Sequence, residues 1–103
     1  MIQIRITTKD TVKIKEITEL LINNRLVTGV SITETTSVFK DNNGKIKTIP
    51  TILLVGRTKA SLFNTIEKLL IDKYGDEIPV LYGIPITNID TKHLKKLKTV
   101  VSD

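Results

Sequence analysis

Two hydrophobic periods follow each other at the start of the chain. Isoleucines alternate with polar residues over residues 2–8, and this period of two predicts a strand with one buried face. Asp10 or Thr11 can then cap a helix, because either side chain can accept hydrogen bonds from free backbone N–H groups. Over residues 11–24 the apolar side chains recur at helical spacing and predict one stripe that packs against the sheet. The stripe consists of Ile14, Ile17, Leu20 and Leu21.

The middle of the chain predicts two long strands joined by a tight turn. Residues 26–39 are rich in valine, isoleucine and threonine, which favour strands. The segment 41–44 ends in Asn-Gly, which supplies the positive φ angles that a hairpin turn requires. Residues 45–57 return as the partner strand, and the continuous apolar run 52–55 predicts burial on both faces of the sheet.

The polar halves of these two strands, residues 33–39 and 45–51, are longer than a small sheet requires. They would project from it as a two-stranded ribbon, which is only marginally stable on its own. We therefore expect another subunit to cover the ribbon. The residues expected at that interface are Val38, Phe39 and Ile49 on the ribbon and Tyr82 on a later strand.

The second half of the chain predicts a helix, a strand and a short final helix. Thr58 is expected to cap the first of these helices, and Gly75 is expected to end it, because glycine readily adopts the left-handed conformation there. Residues 78–86 predict a strand that contains two prolines. Asp90 is expected to cap the last helix, with fraying after about residue 98.

The predicted order of elements is β-α-β-β-α-β followed by a C-terminal helix. A hairpin joins the second and third strands, and each helix connects two strands that are not hairpin partners. This pattern predicts the α+β class, namely a ferredoxin-like βαββαβ sandwich with an extended β2–β3 hairpin. A chain of 103 residues has room for one core, so we expect a single domain over residues 1–103.

The residue composition excludes several kinds of site. The chain has no cysteine, which excludes disulfides, thiolate nucleophiles and cysteine-based zinc or iron–sulfur sites. No apolar run approaches the ~20 residues that span a bilayer. The alternating N-terminus also differs from the apolar core of a signal peptide. We therefore expect a cytoplasmic protein without membrane association.

The charge of the chain permits an anionic partner but does not require one. The net charge is +5, and part of the excess lies in Lys92, Lys95, Lys96 and Lys98, around the single histidine, His93. Such a run is typical of a solvated helix face. Nucleic acid is not an expected partner, because RNA-binding sheets stack bases on aromatic pairs and this chain has only two tyrosines and two phenylalanines.

Several segments of the chain resemble one known family in order and spacing. They are Arg25-Leu26-Val27-Thr28-Gly29-Val30-Ser31, Thr36-Ser37-Val38-Phe39, Gly44-Lys45-Ile46, Arg57-Thr58, Tyr74-Gly75-Asp76-Glu77-Ile78-Pro79-Val80, Gly83-Ile84-Pro85-Ile86 and His93-Leu94-Lys95-Lys96. Together they resemble the CutA family, small trimeric proteins named for divalent-cation tolerance, over almost the whole chain. The resemblance implies a PII-like ferredoxin fold and a homotrimer.

The chain departs from the family pattern at residues that carry chemistry. Gly29 stands at the family's strand-two cysteine, and Tyr74 stands at the histidine of its His-Pro-Tyr-Glu turn. Thr51 and Val80 stand at positions where the family has acids. Among the polar residues of the turn motif, Glu77 is the one that matches. Any ligand site inherited from the family would therefore depend on Glu77.

The candidate ligand residues lie around this turn. Two adjacent carboxylates, Asp76 and Glu77, could bind a hard divalent cation with further oxygen ligands from a neighbour. We favour the alternative that they shape the turn or form an intersubunit salt bridge to Arg57 or Arg25. The ligand-binding residues that we predict are Glu77, Asp76, Arg57 and Tyr74, and the metal-binding residues are Glu77 and His93.

The predicted function is that of a non-catalytic CutA-like homotrimer with a divalent-cation tolerance, binding or signalling role. The sequence contains no glycine-rich phosphate loop and no recognisable nucleophile motif, so an enzyme is not expected. The only cofactor it suggests is a divalent cation, and the expected partners are further copies of the chain and a metal ion or small anionic ligand. The alternatives are a PII-like regulator that binds a nucleotide or anion between subunits, and a structural scaffold for a protein partner.

Overall fold

The computed structural model describes residues 1–101 of the chain. Its main elements are β1 (Ile2–Thr8), α1 (Thr11–Asn23), β2 (Val30–Lys40), β3 (Ile46–Thr58), α2 (Phe63–Tyr74), β4 (Val80–Pro85) and α3 (Thr91–Val100). Short 3-10 turns, Ala60–Leu62 and Gly75–Glu77, lie on either side of α2. Within residues 1–101, no helix has both the length and the apolar character needed to cross a membrane.

The four strands form one antiparallel sheet in the order β2-β3-β1-β4. β1 lies between β3 and β4 and pairs with both, so Arg5 is opposite Val55 on one side and Tyr82 on the other. Each helix connects two parallel strands that have a third strand between them, which is the split βαβ arrangement. The predicted ferredoxin-like fold is confirmed.

One face of the sheet forms the core together with the helices. Ile4, Ile6 and Leu54 on this face are fully buried and pack in one cluster with the apolar stripes of α1 and α2. The stripes contribute Ile14, Ile17, Leu21, Leu62, Ile66 and Leu70. Alternate residues face the other way and form what we call the open face, which contains Gln3, Arg5 and Thr7 of β1 and their partners on β3 and β4.

The open face explains one difference from the sequence prediction. Residues 52–55 were predicted to be buried on both faces, but within this chain only Leu54 is fully buried, while Leu53 and Val55 are half-buried. Their apolar side chains point to the open face, which no helix within residues 1–101 covers. A continuous apolar run is typical of a strand covered on both sides, whereas Leu53 and Val55 are covered only in part within this chain.

The predicted ribbon is present. β2 and β3 stay paired from Val30–Gly56 to Lys40–Ile46, whereas β1 pairs with β3 only as far as Ile52. Beyond that point the two strands pair only with each other. Apolar side chains along the ribbon are exposed, and Val38 is 65% exposed.

The tip of the ribbon is the tight turn that the Asn-Gly pair predicted. One carboxylate oxygen of Asp41 accepts hydrogen bonds from the N–H groups of Asn43 and Lys45, both at 2.9 Å. Gly44 has a φ of +78°, which glycine adopts without the steric penalty that a side chain would bring. The turn is therefore fixed by local interactions, independently of the rest of the fold.

Two boundaries in the middle of the chain differ from the prediction. β2 begins at Val30 rather than at residue 26, because Leu26 and Val27 are buried in the preceding loop. Thr58 is the last residue of β3 and does not cap α2. It is fully buried, and its hydroxyl donates a 2.6 Å hydrogen bond to the carbonyl oxygen of Leu26. Buried carbonyl groups need such a partner, and the chain enters α2 through the Ala60–Leu62 turn instead.

The C-terminal helix is fastened at both ends. A carboxylate oxygen of Asp90 accepts a 3.0 Å hydrogen bond from the N–H of His93, which confirms the predicted cap. At the other end, the guanidinium of Arg25 donates to the carbonyl oxygens of Thr99 and Val100. Val101 is only 2% exposed, so the predicted fraying is wrong as far as this residue. Residues 102–103 lie outside the described part of the chain.

Candidate ligand groove

A groove lies beside the turn that follows α2. It has a volume of about 540 Å³ and is bounded by the end of β1, the start of α1, the segment after α2 and the ribbon. Its charged groups come from Lys9, Asp10, Lys13 and Glu77, and Phe39 and Ile49 supply a wall from the ribbon. We call it the Glu77 groove. Its size is within the range of small-ligand sites.

A glycine conformation produces the turn that carries the acids. Gly75 ends α2 with φ +59° and ψ −129°, a combination that residues with side chains rarely adopt. A Cβ atom built there would meet nothing within 4 Å, so the glycine is required for its backbone conformation and not for space. The N–H of Ile78 then donates to the carbonyl of Gly75 at 3.2 Å, which leaves Asp76 and Glu77 exposed on the turn.

A second set of contacts holds this turn against α1. The ammonium group of Lys13 donates a 3.1 Å hydrogen bond to the carbonyl oxygen of Glu77 and lies 5.0 Å from the centre of the Tyr74 ring. The hydroxyl of Tyr74 donates to a carboxylate oxygen of Glu16 at 3.0 Å. Ammonium groups are attracted to the faces of aromatic rings. Tyr74 thus acts as a packing and hydrogen-bonding anchor for the turn.

The same contacts change the acidity of Tyr74. Burial, followed by the hydrogen bond to Glu16 and the negative charges of Glu16 and Asp10, raises the pKa of Tyr74 to about 12. All of these causes favour the neutral phenol over the phenolate. Because the pKa is raised in the folded state, Tyr74 stabilises the fold fully below its unfolded pKa of about 10. This contribution is lost as the pH rises from there through 12.

An absorbance titration should show the raised pKa of Tyr74 directly. In a Tyr82→Phe protein Tyr74 is the only tyrosine, so the phenolate band is expected to rise with a midpoint near 12. Adding Glu16→Gln removes both the carboxylate acceptor and its charge, so the midpoint should move towards 10. Circular dichroism recorded in parallel shows that the chain is folded at each pH. Equal midpoints in the two proteins would contradict the Tyr74–Glu16 contact.

The structure places Arg57 away from Glu77. Arg57 is paired with Gln3 on β1, whereas Thr7, which lines the Glu77 groove, is paired with Val80. Four residues of strand separate the two positions on β1, which corresponds to about 13 Å. Of the predicted ligand residues, Glu77, Asp76 and Tyr74 are therefore close together on one turn, and Arg57 lies at the other end of the sheet.

His93 also has a local role within the chain. Its Nδ1 atom lies 2.8 Å from a carboxylate oxygen of Asp90, at the start of α3, and His93 does not line the Glu77 groove. Hydrogen bonds from the backbone N–H and side chain of His93 lower the pKa of the Asp90 carboxyl. Within one chain, the two predicted metal-binding residues thus belong to different parts of the fold.

The donor set of one chain does not by itself fit a metal ion. Among the described residues, no three histidine, cysteine, aspartate or glutamate side chains are close enough together to hold one. The groove contains the carboxylates of Asp10 and Glu77, but Lys9 and Lys13 lie beside them. One oxygen of Asp10 is also occupied, because it accepts the N–H groups of Val12 and Lys13. A divalent cation here would need further oxygen ligands from outside the chain.

Sequence reasoning missed two residues of this groove. Asp10 was interpreted only as a helix cap, and Lys13 was not singled out at all. The topology contains a usable signal: in a ferredoxin-like sheet the end of β1 lies beside the start of β4. The loop after β1 must therefore adjoin the turn before β4, which brings residues 9–13 to residues 75–79.

The residues predicted for an interface are exposed or half-buried in the single chain. Tyr82 lies on the open face, where its hydroxyl accepts a 3.5 Å hydrogen bond from the guanidinium of Arg5. Phe39 and Ile49 extend the apolar surface along the ribbon and into the Glu77 groove. The Nε atom of Arg5 is buried, and no partner for it occurs within residues 1–101. A connected apolar surface of this kind is typical of a protein interface.

The fold and the groove together define a small ferredoxin-like protein with a projecting ribbon and an exposed sheet face. A family comparison then identifies it more closely. The model of the family described as CutA1 divalent ion tolerance protein matches residues 2–99, so the chain belongs to this family.

Solved structures agree with this assignment at the level of the fold. CutA1 from Oryza sativa is 23% identical, with a TM-score of 0.86 over 99% of this chain and 94% of that one. A protein from Archaeoglobus fulgidus, described as the periplasmic divalent cation tolerance protein CutA, is 21% identical, with a TM-score of 0.85 and 98% of both chains covered. CutA1 from Pyrococcus horikoshii is 16% identical, with a TM-score of 0.87 and full coverage of both chains. A sequence comparison with curated proteins found no significant match.

Proposed function

We propose that the protein is a non-catalytic CutA-type homotrimer that holds a divalent cation in the Glu77 groove, with further ligands supplied by a neighbouring copy. The observation that carries the proposal is the continuity between this groove and the exposed apolar surface of the ribbon. Phe39 and Ile49 belong to both. A second copy that covers the apolar surface would therefore also reach the groove.

The homotrimer is supported by what a single chain leaves uncovered. The open face presents apolar side chains, and β2 and β4 are edge strands of the sheet. Exposed edges and flat apolar faces invite uncontrolled pairing unless an assembly covers them. A closed assembly with rotational symmetry covers the same surface on every copy.

The divalent cation is supported by the chemistry of the turn. Glu77 and Asp76 are exposed carboxylates on a turn fixed by Gly75 and Lys13. The carboxylate of Asp10 lines the same groove as Glu77. Hard divalent cations prefer oxygen ligands of this type. The positive charges of Lys9 and Lys13 in the groove oppose cation binding by one chain alone. Additional carboxylate or carbonyl ligands from a neighbouring copy are therefore part of the proposal.

A calorimetric titration with Mn²⁺ tests the site. We expect saturable binding to the assembled wild-type protein, at least tenfold weaker in Glu77→Gln because a carboxylate ligand is lost. Glu67→Gln is the matched control: it removes another exposed glutamate, which lies on α2 and does not line the groove, and should bind as the wild type does. Absence of binding, or an equal loss in both variants, would refute the cation site. His93→Asn in the same experiment tests whether His93 reaches the site from a neighbouring copy.

The cytoplasm is the proposed compartment, and residues 1–103 are proposed as one domain. A cysteine-free chain suits a reducing environment, although the Archaeoglobus fulgidus protein is described as periplasmic. The family match over residues 2–99 supports a single unit.

A further inference from the structure

A second cavity lies at the other end of β1, about 13 Å along the strand from the Glu77 groove. It has a volume of about 330 Å³. Arg57 reaches it from β3 and Lys96 from α3, while Gln3, Thr28 and Ser31 add neutral polar groups. No aspartate or glutamate is among its lining residues within the described part of the chain. We call it the basic cavity.

Within residues 1–101, the two cations of the basic cavity have no carboxylate partner. Neither Arg57 nor Lys96 forms an ion pair or a side-chain hydrogen bond with any residue of this range. Two other cations are engaged: Lys47 pairs with Asp41, and Lys13 donates to the Glu77 carbonyl. Two unpaired cations on one concave surface concentrate positive potential there, which attracts anions.

Tertiary contacts fix the walls of this cavity. Gly56 packs tightly against the loop before β2, since a Cβ atom built on it would lie 3.3 Å from the carbonyl oxygen of Gly29. A Cβ atom on Gly29 would meet nothing within 4 Å, so this residue exposes its backbone without a side chain to obstruct access. The hydrogen bond from Thr58 to Leu26 ties the same loop to β3.

The position of α3 is fixed as well. Leu97, the neighbour of Lys96, is buried in the core, and Arg25 donates to the carbonyl groups at the end of α3. The helix therefore cannot slide along the sheet without breaking these contacts. This position brings Lys96 to the cavity, whereas Lys92 and Lys95 on the same helix do not line it.

We propose that the basic cavity binds an oxyanion of the phosphate type, either free or as the end group of a small metabolite. The guanidinium of Arg57 can form two parallel hydrogen bonds to such an anion, and Lys96 adds a compact positive charge. The hydroxyl groups of Thr28 and Ser31 and the amide of Gln3 can donate to the remaining oxygens. This site requires none of the residues of the Glu77 groove. Gln3 and Arg57 belong to the open face, so in the proposed trimer the cavity borders a neighbouring copy.

The test is a titration of ¹⁵N-labelled full-length protein with inorganic phosphate at constant ionic strength, followed by NMR. Saturable shifts are expected at the backbone amides of Gly29, Ser31 and Gly56. The double variant Arg57→Gln/Lys96→Gln should bind at least tenfold more weakly. The control Lys92→Gln/Lys95→Gln removes the same amount of charge from α3 and should remain within twofold of the wild type.

Each outcome of this experiment decides the proposal. Shifts that grow linearly with phosphate, or an equal loss in the control variant, would overturn it in favour of diffuse attraction to the basic helix. If the double variant does not fold, Arg57→Lys keeps the charge, lacks the guanidinium fork and is still expected to bind more weakly.

Adenosine monophosphate in place of phosphate distinguishes the two sources of the anion: tighter binding indicates an end group of a metabolite, and equal binding indicates the free ion. Glu77→Gln should leave phosphate binding within twofold, so failure of the cation site and failure of this site are separable.

Discussion

Ile84→Asp is expected to convert the proposed trimer into monomers without unfolding the chain. Ile84 is opposite Gln3 on the open face and is 37% exposed in the single chain, so the substitution costs the monomer less than a change in the core would. In the proposed trimer each copy of Ile84 is covered, and full burial of one isoleucine side chain contributes about 1.5–3 kcal/mol. A carboxylate in its place would lose its hydration, which is strongly unfavourable.

Sedimentation velocity at micromolar concentration measures this effect, with circular dichroism to check the fold. Ile22→Asp is the matched control, because Ile22 is 44% exposed but lies on α1, away from the open face. The control should sediment as the wild type does. A wild-type protein that sediments as a monomer would refute the trimer. Dissociation of both variants to the same extent would show that the open face has no special role.

Leu54→Ala is expected to lower the free energy of unfolding by about 2–5 kcal/mol, the range for a truncated leucine in a packed core. Leu54 is fully buried and faces Ile6 across the sheet, beneath the helices. Truncation leaves a cavity that the surrounding isoleucines and leucines can only partly fill. The assembled state should persist, because Leu54 does not face the open side of the sheet.

Leu53→Ala provides the comparison, since Leu53 is the next residue along the strand and lies on the open face. Both substitutions are best measured by urea denaturation in the Ile84→Asp background, so that assembly does not contribute to the unfolding free energy. There Leu53→Ala should cost clearly less than Leu54→Ala. Equal costs would mean that the two faces of β3 are covered to the same extent in the monomer.

Most of the fold could be predicted because local pattern and local chemistry agree with it. The alternation in residues 2–8, the Asn-Gly turn and the glycine after α2 each specify one element with little help from distant residues. Thr58 shows where this reasoning stops. A threonine at the end of a strand suits a helix cap equally well, and its role is decided by the buried carbonyl of Leu26, thirty-two residues earlier.

The candidate site was only partly predictable for a related reason. The turn with Asp76 and Glu77 is continuous in sequence and could be recognised directly. Lys13 reaches Glu77 across a sequence separation of 64 residues, so no local pattern could indicate it. Arg57 was grouped with Glu77 although pairing along β1 puts the two at opposite ends, and strand register, not residue type, decides this.

The ribbon gives this small protein two regions that tolerate change differently. In the core formed by the sheet and the helices, a substitution at one position can be compensated by a substitution at a neighbouring position of the same chain. Within residues 1–101, the two ribbon strands beyond Ile52 pair only with each other. In a homotrimer every substitution in the ribbon is also present in all three subunits. A compensating substitution on the surface that contacts the ribbon must then arise in the same sequence. A ribbon change that improves one contact therefore has to suit both sides of the interface simultaneously, which restricts the ribbon more than its exposure in a single chain suggests.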